Sequence, residues 1–275
     1  MTIRHSLAVS AILVATGLAA CDVRVDDRGE VSVDVSEGGR AEDESTRTYP
    51  LAKGGRIELQ TENGEVEFVG GRGTAVEVHT RRRARASNDE AAKELLKQQY
   101  STVEAVADRV SIQSVKAEGP EAFRRRVRTD YRITVPAGSV VTIKNANGTV
   151  RLTDVNGRFT VDSTNGHVMG RGVSGGFEAQ VVNGMVIVQM TSVTGDIKVT
   201  TVNGHAIFGL PPNTNAAVEA SALNGGVIVQ DSLPITATTK DRQRLSGRLG
   251  AGTGAKIELR TTNGNVRLGG GEPPT

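Results

Sequence analysis

The chain has 275 residues, with 33 Lys and Arg against 31 Asp and Glu, 33 Gly, four His, one Cys, and eight aromatics of which none is Trp. A single cysteine cannot close an intramolecular disulfide or a thiolate zinc cage, and four scattered histidines leave little for an imidazole metal site, so disulfide-rich and zinc-module classes are excluded. With 37% hydrophobic residues the chain can build a core, which excludes disorder throughout, and the few aromatics argue against stacking on bases or sugars.

Arg4 and His5 precede the apolar run Leu7 to Ala20, which at 14 residues is shorter than the ~20 needed to span a bilayer core. Residues 1–20 therefore read as an export signal. The run ends in Leu18-Ala19-Ala20-Cys21, which resembles the lipobox of bacterial lipoproteins, and the only cysteine of the chain falls at the position that accepts the lipid. Cys21 is the expected lipid attachment point and the membrane the expected partner, since several acyl chains anchor stably where one does not. Asp22 resembles the residue that holds some lipoproteins in the inner membrane.

Residues 21–46 follow as an expected flexible tether, with 9 acidic and 3 basic residues between Asp22 and Thr46. Without it and Arg4, residues 47–275 carry 29 Lys and Arg against 22 Asp and Glu, a body of +7. Two basic clusters stand out in the strand-rich part, residues 47–138: Arg81, Arg82, Arg83 and Arg85, then Arg124, Arg125, Arg126 and Arg128. They are candidate contacts for an anionic surface, although alternating arginines are also what the solvent face of a half-buried strand contains. Export and the shortage of interleaved aromatics argue against nucleic acid.

Residues 88–98 (NDEAAKELLKQ) predict one helix, with Ser87 or Asn88 as N-cap, Asp89 and Glu90 in the first turn, and Ala91, Leu95 and Leu96 on one side. Val103 to Val106 and Arg109 to Val115 predict a strand pair, and Val127 to Val135 another strand. Helix and strand pair together read as an insertion.

Eight of the thirteen asparagines precede a glycine: Asn63, Asn147, Asn156, Asn165, Asn183, Asn203, Asn224 and Asn263. Asn-Gly suits corners that need positive φ. Through residues 139–271 the unit is about nine residues, and apolar or small residues recur two and four positions after each glycine, as in a strand with one buried face. Alternating strands joined at Asn-Gly could be hairpins or corners of a continuing coil. The spacing of Asn147, Asn165, Asn183, Asn203 and Asn224 favours a coil of 18 to 21 residues. That coil would stack Val150, Val168, Val186 and Ala206 in one interior ladder and Phe159, Phe177 and Ile197 in the opposite one. Arg56 to Gly71 and Lys256 to Gly271 match at 9 of 16 positions, so both ends carry the unit. Thr236 to Gly254 reads as a loop or a less regular coil, and 272–275 as a tail.

The Asn-Gly-x-[Val/Ile]-x-[apolar] unit, preceded by Tyr131-Arg132-Ile133-Thr134-Val135-Pro136 and a short Ala/Leu helix, resembles the bacterial putative-adhesin family over roughly Tyr49 to Gly271. The resemblance implies an all-β, right-handed parallel β-helix-like solenoid and carries over no catalytic residue.

A nine-residue glycine period also suggests a calcium roll, but the corners lack the aspartates that would supply oxygen ligands. His167 and His205 share a column with Met185 between them, about 10 Å apart at ~4.8 Å per rung, too far for joint ligation, and His79 lies in a strand. Asp154, Asp162, Glu178, Asp196, Glu219 and Asp231 do not fall in one column by their offsets from the preceding glycine, as a carboxylate-based glycosidase or lyase would need. The expectation is a non-catalytic, adhesin-like envelope protein, at the periplasmic face or the cell surface, that binds a glycan or an envelope protein and uses no metal or cofactor. The alternatives are a structural or regulatory component that contacts another envelope protein or peptidoglycan, and a β-helix polysaccharide-processing enzyme.

Overall fold

A computed structural model describes residues 21–25, 31–35, 38–115 and 127–273. The export signal and Arg124, Arg125 and Arg126 lie outside the described residues. The described chain is all-β with one short helix.

In chain order, β1 (Cys21–Val25) and β2 (Val31–Val35) pair antiparallel, and β3 (Arg40–Pro50) enters the main sheet. β4 (Arg56–Asn63) and β5 (Val66–Gly71) flank the first Asn-Gly corner. Next come β6 (Ala75–Arg85), α1 (Asp89–Gln98), β7 (Ser101–Val106), β8 (Arg109–Ser114) and β9 (Val127–Pro136). The central coils consist of β10 (Ser139–Asn147), β11 (Val150–Thr153), β12 (Asn156–Asn165), the long β13 (Val168–Asn183) and β14 (Val186–Asn203), and β15 (Ala206–Leu210). β16 (Ala216–Asn224), β17 (Val227–Val229), β18 (Ile235–Lys240), β19 (Arg244–Leu249), β20 (Ala255–Asn263) and β21 (Val266–Gly270) complete the chain.

Strands that lead into an Asn-Gly corner stack in parallel in the order β4, β10, β12, β13, β14, β20, β16, with β8 outside β4, and strands that leave it in the order β5, β11, β13, β14, β15, β21, β17, with β9 outside β5. Inward residues alternate along each strand, and their columns fill the space between the two faces. Val150, Val168, Val186 and Ala206 are neighbours in register, as are Phe159, Phe177 and Ile197, all buried. Phe177 also meets Phe208 across the core, ring centroids 6.0 Å apart. Repeating small β-branched columns explain why so few aromatics suffice.

Several expectations change. The chain order of coils is not their spatial order: Asn263 sits between Asn203 and Asn224, so the C-terminal copy is inserted between coils that precede it in sequence. The N-terminal copy is likewise held between β8/β9 and β10/β11. The insertion therefore does more than add a helix and a strand pair, because β8 and β9 are rungs of the solenoid. Thr236 to Gly254 is neither a loop nor a less regular coil: β19 pairs antiparallel with β16, and β18 with β19, closing that end. At the other end β6 and β7 run antiparallel to β9 and β8. Antiparallel outer strands stop the parallel stack, which repeat folds require.

The tether is shorter than its composition indicates. β3 starts at Arg40 and pairs with β6 residue by residue, Glu42 opposite Arg83, Asp43 opposite Arg82 and Glu44 opposite Arg81. Helix α1 forms as expected: the Asn88 side chain accepts the Ala91 N–H at 2.8 Å. Ala92, not Ala91, joins Leu95 and Leu96 against Ala84 and Val127 in a small second core.

Candidate binding face

Seven of the eight Asn-Gly asparagines form one column, in the spatial order Asn63, Asn147, Asn165, Asn183, Asn203, Asn263, Asn224. Each amide donates to the next carbonyl oxygen: Asn147 to Asn63 at 3.0 Å, Asn165 to Asn147 at 3.0 Å, Asn183 to Asn165 at 2.9 Å, Asn203 to Asn183 at 2.8 Å, Asn263 to Asn203 at 2.7 Å and Asn224 to Asn263 at 2.8 Å. The bonds all run one way, so the amide dipoles add along the stack. Asn156 is the exception. It occupies the opposite corner and donates to Ser174 at 3.1 Å, because a nine-residue period counts both corners of each coil.

Glycine is required here for two reasons. Gly184 has φ 149°, and a Cβ there would lie 1.8 Å from the Gly166 carbonyl oxygen of the adjacent rung. His167 and His205 lie one residue beyond the corner, in the column predicted for them, with Met185 between. The His167 Nδ1 accepts the Met185 N–H at 3.1 Å and the His205 Nδ1 the Asn265 N–H at 2.9 Å. They satisfy backbone donors of neighbouring rungs and do not converge. The His79 Nδ1 lies 3.0 Å from the Thr46 hydroxyl.

The predicted arginine cluster is largely spoken for. Arg81 pairs with Glu42 and Glu44, and Arg82 forks onto Asp43 while also donating to the Leu96 and Gln99 carbonyls at the helix end. Arg83 and Arg128 both hold Asp130, and Arg128 also meets Glu65 at 3.3 Å. Arg85 lies opposite Arg40 in the β3–β6 ladder. Burial pushes the Asp130 carboxyl up, but the Glu65 N–H and the two guanidiniums outweigh it and leave it below the ordinary aspartate value. Counting Arg40 and the three acids of β3 into the folded part lowers its charge from +7 to +5. Sequence reasoning missed this because it assigned the acids to the tether.

The open surface lies on the outer side of the strands leading into the corners. Pairing passes from Asn145–Ser163 to Asn147–Asn165 with no partnered residue between, and the same interruption recurs at each rung of the column. The interrupted position faces out. It carries Glu62, Ala146, Thr164, Val182, Val202, Thr262 and Leu223 in spatial order, of which Val182, Val202 and Leu223 are 43%, 39% and 66% exposed. A cleft of about 500 Å³ runs beside this row past Lys144, Asp162 and Gln180, and a second of about 720 Å³ past Arg244 and Arg260, and Thr200 lines both.

An acidic row also emerges that the sequence offsets hid: Glu178, Lys198, Glu258 and Glu219 are consecutive neighbours in register. Lysines intervene. Lys198 lies 3.8 Å from Glu178, and Lys256 bridges Glu219 and Glu258. The Lys256 hydrogen bond holds the Glu258 carboxyl below its usual value, the reverse of what a general acid needs. Among the described residues no group of three or more His, Cys, Asp or Glu could hold a metal ion, and no helix is long and apolar enough to cross a membrane.

Residues 18–269 match the family model described as Toastrack DUF4097. The chain belongs to the Toastrack DUF4097 family. No curated protein matches it. Among solved structures, the Toastrack chain is similar to a "putative cell adhesion protein" from Clostridium sporogenes ATCC 15579, 13% identical, with a TM-score of 0.50 over 84% of this chain and all of that one. A "putative adhesin" from Bacteroides fragilis NCTC 9343 is 11% identical, with a TM-score of 0.31 over 82% and 97% of the two chains. A "putative lipid binding protein" from Parabacteroides distasonis ATCC 8503 is 8% identical, with a TM-score of 0.25 over 82% and 96%. The first likeness supports the fold.

Proposed function

We propose that this chain is a lipid-anchored bacterial envelope protein, held through Cys21, that binds a glycan or an envelope protein without catalysis along the outer face of the strands leading into the asparagine column. The observation that supports this most is the pair of clefts sharing Thr200 beside an exposed row of Val182, Val202 and Leu223. Repetition there offers many similar weak contacts on a rigid scaffold, wound in the right-handed sense usual for parallel crossovers.

The face is tested with purified peptidoglycan sacculi and with detergent-solubilised envelope proteins as probes. The chain is retained on one of them, and V182D/V202D, with an unchanged unfolding midpoint, is not. Equal retention of variant and wild type on both probes, or retention on neither, contradicts the reading. Anchoring is tested separately: Cys21→Ala moves the chain to the soluble fraction and abolishes acyl labelling, and an unchanged membrane fraction contradicts it. Protease shaving of intact cells then separates cell-surface display from a periplasmic position.

A further inference from the structure

Beneath the asparagine column lies a second, interior column made by the residue two positions before each asparagine: Thr61, Asn145, Ser163, Val181, Thr201, Thr261 and Ala222 in spatial order. All are buried. Such a position tolerates a polar atom only when that atom is hydrogen-bonded. Towards the C-terminal end the requirement is met, because the Thr201 and Thr261 hydroxyls both donate to the Gly204 carbonyl, at 3.3 and 2.8 Å. Val181 and Ala222 need nothing.

The N-terminal end differs. Thr61, Asn145 and Ser163, at 3%, 2% and 5% exposure, leave Thr61 Oγ1, Asn145 Oδ1 and Ser163 Oγ without a protein partner, although the Asn145 amide nitrogen reaches the Gly148 carbonyl at 3.2 Å. Thr129 stands level with Gly64 and outside this column, its carbonyl stacking on Gly64 as the Gly64 carbonyl stacks on Gly148, and its buried hydroxyl is also unpartnered. Orphaned oxygens of the column thus stand on three successive rungs, those of Thr61, Asn145 and Ser163.

We infer that a file of ordered water molecules occupies this interior column, bridging Thr61, Asn145 and Ser163. The period fits: rungs stand ~4.8 Å apart, and a water at ~2.8 Å from two such oxygens subtends an angle near 118°, close to tetrahedral. Donor chemistry selects water over a cation, since the column offers hydroxyls and an amide oxygen and no carboxylate. The Val181 side chain ends the file. Within this column the N-terminal repeat copy thereby meets the central coils through solvent, where the C-terminal copy uses a direct hydroxyl-to-carbonyl bond.

The test combines oxygen-17 magnetic relaxation dispersion, which counts long-lived internal waters, with thermal unfolding of Thr61→Val, Ser163→Ala and the control Thr261→Val. The file predicts long-lived waters whose number falls in Thr61→Val and in Ser163→Ala but not in Thr261→Val, with the Thr61→Val midpoint lowered by about 2–4 °C. Should Thr61→Val fail to fold, Ser163→Ala alone decides through the water count. An unchanged count in both variants, a raised Thr61→Val midpoint as expected from deleting a truly orphaned hydroxyl, or a signal that requires sodium overturns it.

Discussion

The repeat copies Arg56–Gly71 and Lys256–Gly271 are alike in sequence and in place, each one rung in from an end and overlaid by chain that is interior in sequence. Their covers differ. Inside, the N-terminal copy is overlaid by the buried Val110, Ile112, Tyr131 and Ile133, and its outer side adds ion pairs: Arg128 meets Glu65 at 3.3 Å, Arg132 meets Glu67 at 2.7 Å, and Asp130 is gripped by Arg83, Arg128 and the Glu65 N–H. The C-terminal copy is overlaid by Ala216, Val218 and Ala220, closed by Leu245 and Leu249. Both covers meet the repeat with apolar residues inside, because its own contribution is the backbone ladder and the inward Val, Ile and Leu, and they differ in the ion pairs that only the N-terminal cover adds outside that core.

The comparison breaks most severely if the C-terminal copy is removed. Deleting residues 251–275 separates β14/β15 from β16/β17 and exposes two unpaired edges, so hydrogen exchange of residues 216–249 should approach unprotected rates while the rungs of Asn63 and Asn147 stay slow. Uniform loss of protection would show that the two ends are one cooperative unit. Next in size, Leu245→Ala removes a buried side chain from the apolar cover and is expected to cost about 2–4 kcal/mol in denaturant unfolding, with added exchange confined to the C-terminal end.

A smaller effect sharpens the ionic side. Asp130→Asn is expected to cost about 1–2 kcal/mol at neutral pH, in partly solvated surroundings. The folded carboxyl lies below its unfolded value, so its stabilisation is complete above the unfolded pKa of ~3.9 and is lost as pH falls through the folded value. Wild type and variant should converge in stability at the acid end, and Leu245→Ala should show no such convergence. A constant Asp130→Asn difference across that window would remove the ionic account of the N-terminal cover.

Much of the stack was legible because spacing within a continuous run translates directly into register. Asn147, Asn165, Asn183 and Asn203 fall 18 to 20 residues apart, and their flanking Val, Phe and Ile columns follow. Adjacency across a 60-residue interval has no such signal, so the place of Asn263 beside Asn203 escaped spacing, although the likeness of the two end copies hinted at a shared role. β3 escaped for another reason. Its sequence, RAEDESTRTYP, has little apolar alternation, and as an edge strand it is held by backbone pairing and by acids matched to the arginines of β6. The same charges that read as a tether and a free basic patch neutralise each other. Of the candidate face, the asparagine column beside it was legible, but the exposed Val182, Val202 and Leu223 sit at the interrupted pairing before each asparagine, which composition does not encode.

The central claim is that the C-terminal copy lies between the rungs of Asn203 and Asn224, and cross-linking measures it most directly. In a Cys21→Ser background, cysteines replace Asn203 and Asn263 in one variant and Asn203 and Asn224 in another. Adjacent rungs at ~4.8 Å fall inside the Cα separation a disulfide accepts, and two rungs at about 9.6 Å fall outside it. The inserted order predicts that N203C/N263C oxidises to a disulfide and N203C/N224C stays reduced. Oxidation of N203C/N224C with N203C/N263C left free would contradict it.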